Sequence, residues 1–136
     1  MQHALRKMFI HNIGSLLVVE EVQQADRPCK PLGIITERDL IRLLISRNTG
    51  GGDSNILGNV RVQEFMTRAN ALISATPETD LAAVLELMAS RRLRHLPIVR
   101  GEYAIGMVSV GDVVRKLIEE SREEAAALKE YISGTY

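Results

Sequence analysis

Tryptophan is missing from this chain, and aromatic residues together make up only 4% of it. Leu, Ile, Val and Met must therefore build the core. A surface of aromatics interleaved with cations, the usual platform for single-stranded nucleic acid, has little material to form from. Neither sign of charge prevails: 17 Lys and Arg balance 17 Asp and Glu, so no net field draws the chain to a phosphate backbone or an anionic membrane. The one cysteine, Cys29, excludes an intrachain disulfide and suits a reducing compartment. His3 and His11 stand without thiols or carboxylates at ligand spacing, and no metal site is expected. No apolar run approaches the roughly 20 residues that cross a bilayer, and the first residues lack the apolar centre of a signal peptide. What is left is a soluble protein, expected in the cytoplasm, or in an organelle matrix if the source is eukaryotic. Neither membrane nor nucleic acid is expected as a partner.

What the chain does contain is a duplication. Gly33-Ile34-Ile35-Thr36-Glu37-Arg38-Asp39-Leu40 returns as Gly106-Met107-Val108-Ser109-Val110-Gly111-Asp112-Val113, with 106 − 33 = 73 for the glycines and 112 − 39 = 73 for the aspartates. Upstream, Leu5, Met8, Ile13, Leu16 and Val18-Val19 overlay Leu85, Met88, Leu93, Leu96 and Ile98-Val99 at an offset of 80. Two anchors in one order define an internal repeat. The difference, 80 − 73 = 7, puts seven extra residues into the first copy, over Gln23 to Pro31. Residues 1–47 are the first repeat, which lacks a counterpart of Val60 to Pro77 and so reads as N-terminally incomplete. Residues 48–59, centred on Gly50-Gly51-Gly52, read as a linker. The second repeat covers 60–118, and 119–136 is a C-terminal helix and tail.

Periodicity supplies the elements. Leu5, Met8, Phe9 and Ile13 line one helix face, with Gly14 expected to end that helix at positive φ. Leu16 to Val19 and Leu32 to Ile35 read as buried strands. Thr36 stands at a helix N-cap, before the buried face of Leu40, Ile41, Leu43 and Leu44. In the second copy Ala71 to Ser74 reads as a strand, and Thr76-Pro77-Glu78 as a helix start with hydroxyl cap, proline and acid in order. Leu81, Val84, Leu85 and Met88 form that helix's inner face. A hairpin follows, from Leu96-Pro97-Ile98-Val99 through Arg100-Gly101-Glu102 to Ala104–Val108. The fold class is α+β, a tandem of β-α-β-β-α units with three-stranded sheets under two helices each. From Asp112 a helix is expected to run to about Ile132. Its positions Ile118, Ser121, Ala125, Leu128 and Ile132 have heptad spacing, open either to packing back on its own domain or to pairing with a second subunit.

Three stretches, Gly33-Ile-Ile-Thr-Glu-Arg-Asp, Arg94-His95-Leu96-Pro97-Ile98-Val99 and Gly106-Met-Val-Ser-Val-Gly-Asp, make the chain resemble a CBS (cystathionine-β-synthase) domain pair of the small stand-alone type. The resemblance implies clefts that bind an adenosine-containing ligand: AMP, ADP, ATP, S-adenosylmethionine or NAD(H). The ligand-binding residues it implies are Thr36, Arg38, Asp39, Arg94, His95, Ser109 and Asp112. A carboxylate three residues after a helix-capping hydroxyl can hold two ribose hydroxyls, while the helix N-terminus faces a phosphate. Arg94 and His95 stand at the family's phosphate-contacting positions, where the first repeat has Gly14 and Ser15, so the two clefts are not equivalent. Arg38, replaced by Gly111 in the second copy, is a further phosphate candidate. Thr-x-x-Asp and Ser-x-x-Asp are equally capping boxes that need no ligand.

The expectation is therefore a regulatory binding module, likewise a homodimer, that passes ligand occupancy to a target protein whose identity the sequence does not give. No cofactor is required, and no catalytic or metal-binding residue is expected. The alternatives are a ligand-free dimerisation module, an enzyme using Asp39 or Asp112 as a base, and nucleic-acid binding through the cluster from Arg91 to His95. The bets on occupancy favour the Ser109/Asp112 side.

Overall fold

A computed structural model describes residues 1–21, 27–47 and 57–134. The elements are α1 (Gln2–His11), β1 (Ser15–Val19), β2 (Pro31–Thr36), α2 (Glu37–Arg47), β3 (Thr67–Arg68), α3 (Leu81–Ser90), β4 (His95–Arg100), β5 (Tyr103–Ser109) and α4 (Val110–Ser133), with 3-10 turns at Val62–Glu64 and Ala69–Ala71. Residues 48–56 of the expected linker, and 23–26 of the expected insertion, lie outside the described residues. Two compact units result, one of Met1–Ile73 with Arg100–Ile105, the other of Ser74–Val99 with Gly106–Tyr136.

In the first unit β2 is the central strand of an antiparallel sheet in the order β1-β2-β3. Ser15 stands opposite Thr36 and Val18 opposite Gly33 on one side, and Gly33 opposite Arg68 on the other. Gly33 permits that second pairing. A Cβ there would lie 2.3 Å from the Thr67 carbonyl oxygen, closer than any side-chain carbon comes to a backbone oxygen. One face of α2 buries Leu40 and Leu43 with Met8 of α1, Ile35 of β2 and Val60. Such a stripe at helical spacing holds a surface helix to its core. The segment 100–105 completes the unit: Cys29 and Ala104 form an isolated antiparallel bridge. Lys30 meets Glu102 at 2.9 Å and sits 5.8 Å from the Tyr103 ring centroid.

In the second unit, α3 and α4 pack together, burying Val84, Met88 and Val113, while Leu96 and Pro97 of β4 are fully buried. β4 and β5 form a two-stranded sheet; their tight turn falls in the 100–105 segment assigned to the first unit, where the φ of 59° at Gly101 explains the glycine.

Several expected details change. Asn12, not Gly14, ends α1: it adopts the left-handed conformation at φ 50°, and its N–H reaches back to Met8 O and Phe9 O. Asn tolerates that region because its short polar side chain bonds locally. The strand expected over Ala71–Ser74 is absent. In its place stand the Ala69–Ala71 turn and a single parallel bridge from Ala75 to Ile98. The helix expected from Thr76 begins instead at Leu81, after Asp80. Thr79 Oγ1 accepts the Thr76 N–H at 3.1 Å, and the Thr79 N–H donates to Thr76 O at 3.1 Å. These bonds close a separate turn before the helix can start.

Candidate functional site

The strand-to-helix corner is built twice. At the first, the Asp39 Oδ2 atom accepts the Thr36 N–H at 2.8 Å and the Thr36 hydroxyl at 3.0 Å. At the second, Asp112 Oδ2 accepts the Ser109 N–H at 2.9 Å and the Ser109 hydroxyl at 2.7 Å. Only at the second does the hydroxyl oxygen also accept the Asp N–H, at 3.2 Å, which completes a capping box. Each carboxylate thus commits one oxygen to its corner and leaves the other turned outward. That outer oxygen faces an arginine one helical turn on: Arg42 at 3.4 Å and Arg115 at 3.5 Å. These arginines were not singled out from the sequence, although they obey the repeat: 115 − 42 = 73.

The corners are tied to the preceding strand by another repeated bond. The Glu37 N–H donates to Gly14 O at 3.0 Å, and the Val110 N–H to Arg94 O at 2.9 Å. Each first helical N–H, an orphan by helix geometry, is therefore satisfied by the residue just before β1 or β4. In the second unit this bond brings Arg94 and His95 to the head of α4 with Ser109 and Asp112. The Ser109 hydroxyl and N–H hold the Asp112 carboxyl below the usual carboxylate range, helped by the charges of Arg115 and His95. Hydrogen bonds to the ionised form stabilise it. In the first unit the matching positions are Gly14 and the buried Ser15. Arg38 lies exposed in the first turn of α2, and the hydrogen bonds and ion pair of the Asp39 corner do not include it.

The corners differ most in access. The Asp39 side chain is 8% exposed and that of Asp112 is 53% exposed. Separately, the first unit has an open cavity of about 400 Å³ lined by Leu32, Gln63, Met66, Arg68, Ala69 and Asn70. Its lining is apolar apart from one cation and two amides. Leu32 stands on β2 four residues before Thr36, about 13 Å along the strand at the usual rise.

A duplicated α+β unit with a hydroxyl–aspartate corner at each strand-to-helix junction defines a tandem domain pair, and the comparisons give its family. The CBS domain family matches residues 1–46 and 62–119, and the chain belongs to that family. It is 40% identical over 133 residues to the CBS domain-containing protein CBSX3, mitochondrial, of Arabidopsis thaliana, with 98% of this chain covered. The chain spans 60% of that relative's length. Among solved structures, the CBS domain pair of protein MJ0100 superposes with a TM-score of 0.65 at 23% identity, covering 88% of this chain and 82% of that one. CBSX2 superposes at 0.67 and 22%, covering 89% and 83%. At such identities the likeness is one of fold. No described helix is long and apolar enough to cross a membrane.

Proposed function

We propose that the chain is a regulatory binding module for an adenosine-containing ligand, with Ser109, Asp112, Arg94 and His95 as its better-equipped site. The observation that carries this reading is the outward carboxylate oxygen of Asp112. The carboxylate is half-exposed and fixed by its capping partner, and its outer oxygen, 3.5 Å from Arg115, has a further lone pair to accept hydroxyl donors such as the two of a ribose. The head of α4 and the nearby Arg94 offer N–H groups and positive charge to a phosphate. Two proteins of the same fold support the class of ligand: the MJ0100 pair was solved with 5'-methylthioadenosine and S-adenosyl-L-methionine, and CBSX2 with AMP.

Thr36, Asp39 and Arg38 form the second, less accessible site. The cavity bearing Arg68 and Asn70 lies in the same unit, apart from this corner. Repeats 1–47 and 60–118, joined through 48–59 and followed by 119–136, are the functional divisions in this reading. The chain works without catalysis in the cytoplasm or an organelle matrix, and self-associates. Occupancy reaches a target protein as a population shift, limited by the ligand's differential affinity for the two states.

A thermal-shift panel of AMP, ADP, ATP, S-adenosylmethionine and NADH tests the reading. A ligand at about 100 times its Kd adds about 2.7 kcal/mol of apparent stability. One member of the panel is expected to raise Tm in the parent but not in Asp112→Ala. A panel without effect refutes the site and leaves the second reading, a ligand-free dimerisation module. That reading draws on the exposed apolar side chains Phe9 and Ile10 of α1 and Ile41 and Ile45 of α2.

A further inference from the structure

The second half of α4 lies beyond residue 119, where the family match ends. Leu128 and Ile132 there are 61% and 66% exposed, and Ile118 just before it is 47% exposed. With Ser121 and Ala125 they step by three and four along α4, which runs unbroken from Val110 to Ser133. That is the seam spacing of a two-stranded coiled coil. With Ile118, Ala125 and Ile132 at a and Ser121 and Leu128 at d, Arg122 and Lys129 fall at e and Glu124 at g.

The charges beside this seam behave differently from those upstream. Charges on one helix pair at three or four residues, and the start of α4 does so: Asp112 with Arg115 at 3.5 Å and Lys116 with Glu119 at 3.7 Å. Glu124 instead finds Glu120, Ser121, Ala127 and Leu128 at those spacings, and Lys129 finds Ala125, Ala126, Ile132 and Ser133. Neither can pair with an opposite charge on its own helix. They stand five residues apart, the separation at which a g residue meets the e residue of the next heptad on a parallel partner.

We propose that α4 pairs with α4 of a second copy of this chain, parallel and in register, with Glu124 of each subunit against Lys129 of the partner subunit. The flanking charges disfavour the antiparallel alternative, which sets Arg122 against Lys129 of the partner subunit. Ser121 and Ala125 let the helices approach closely at the middle of the seam, and Ile118, Leu128 and Ile132 supply its apolar contacts. The span from Ile118 to Ile132 is about 21 Å at the helical rise. This pairing rests on the self-association read above and gives it a place and a direction.

Cysteine cross-linking tests it in a Cys29→Ser background, which leaves no other thiol. Ser121→Cys and, separately, Leu128→Cys are expected to form disulfide-linked dimers under mild oxidation, since facing d positions of a parallel pair are neighbours. Cross-linking only in a mixture of the two variants means an antiparallel pair and overturns the proposal. Sedimentation supplies the second readout: Glu124→Lys or Lys129→Glu alone is expected to weaken the dimer about tenfold, and the double exchange to restore it. A dimer insensitive to both exchanges, with neither cysteine cross-linking, refutes the α4 seam but leaves self-association standing. A monomeric parent chain refutes both. Ligand-induced thermal shifts, measured alongside, report separately on the binding site.

Discussion

Gly33 and Gly106 occupy one position of the repeat, yet substitution by alanine should have opposite effects. At Gly33 a methyl carbon would stand 2.3 Å from the Thr67 carbonyl oxygen and 2.8 Å from the Met66 sulfur. Met66 can rotate away, but the Thr67 carbonyl is fixed in the ladder that sets Ile34 opposite Thr67. Restoring a contact of about 3.3 Å requires β3 to withdraw by about 1 Å. Overpacking of this kind costs about 1–3 kcal/mol, and each ladder bond strained adds about 1 kcal/mol. Gly33→Ala should therefore destabilise its unit by about 2–4 kcal/mol. At Gly106 the added carbon meets nothing within 4 Å. Gly106→Ala restricts only the unfolded chain and should be neutral or stabilising by about 0.5–1 kcal/mol. With no tryptophan to report, urea unfolding followed by far-ultraviolet circular dichroism is the assay. The Gly33 variant should unfold about 1–4 M earlier, with m about 1–2 kcal/mol/M. A loss below about 0.5 kcal/mol at Gly33, or the same response from both glycines, would refute the close-approach argument.

Other outcomes follow from named contacts. Ser109→Ala removes the acceptor of the Asp112 N–H and should cost about 1 kcal/mol of stability, as N-cap deletions do, measured by the same urea titration. The lowered pKa of Asp112 makes its contribution complete above the ordinary aspartate range near about 4. That contribution disappears as pH falls through the lower folded value, so the stability gap between parent and Asp112→Asn should narrow only on acidification; a gap that widens in acid contradicts the assignment. Leu43→Ala, at a side chain fully buried in the first unit, should cost about 2–5 kcal/mol, and a calorimetric Tm unchanged from the parent would place Leu43 outside the core.

What the sequence made legible was whatever repeats or is local. Thr36 with Asp39 and Ser109 with Asp112 were found by register, and both form the short bonds their spacing implies. Arg42 and Arg115 could have been found by the same offset of 73. Asn12 displaced Gly14 because either residue can adopt positive φ, and spacing along α1 does not choose between them. Thr76 has the chemistry of an N-cap, but the bonds between Thr76 and Thr79 close an isolated turn, and the α-helix begins only at Leu81. Access was hidden for a different reason. The contrast between Asp39 and Asp112 depends on packing around each corner, and the cavity beside Arg68 depends on β3 pairing with a strand more than thirty residues earlier, for which local pattern carries no signal.

The backbone bonds from Glu37 to Gly14 and from Val110 to Arg94 use no side-chain atom on either partner. The junction between strand and helix is consequently indifferent to which side chains open the strand. One copy can carry arginine and histidine there and the other glycine and serine without altering the joint itself. A gene encoding such a pair can change the side chains at one corner by point substitution while the frame of both survives, so the chemistry of the two corners can diverge without cost to the joint.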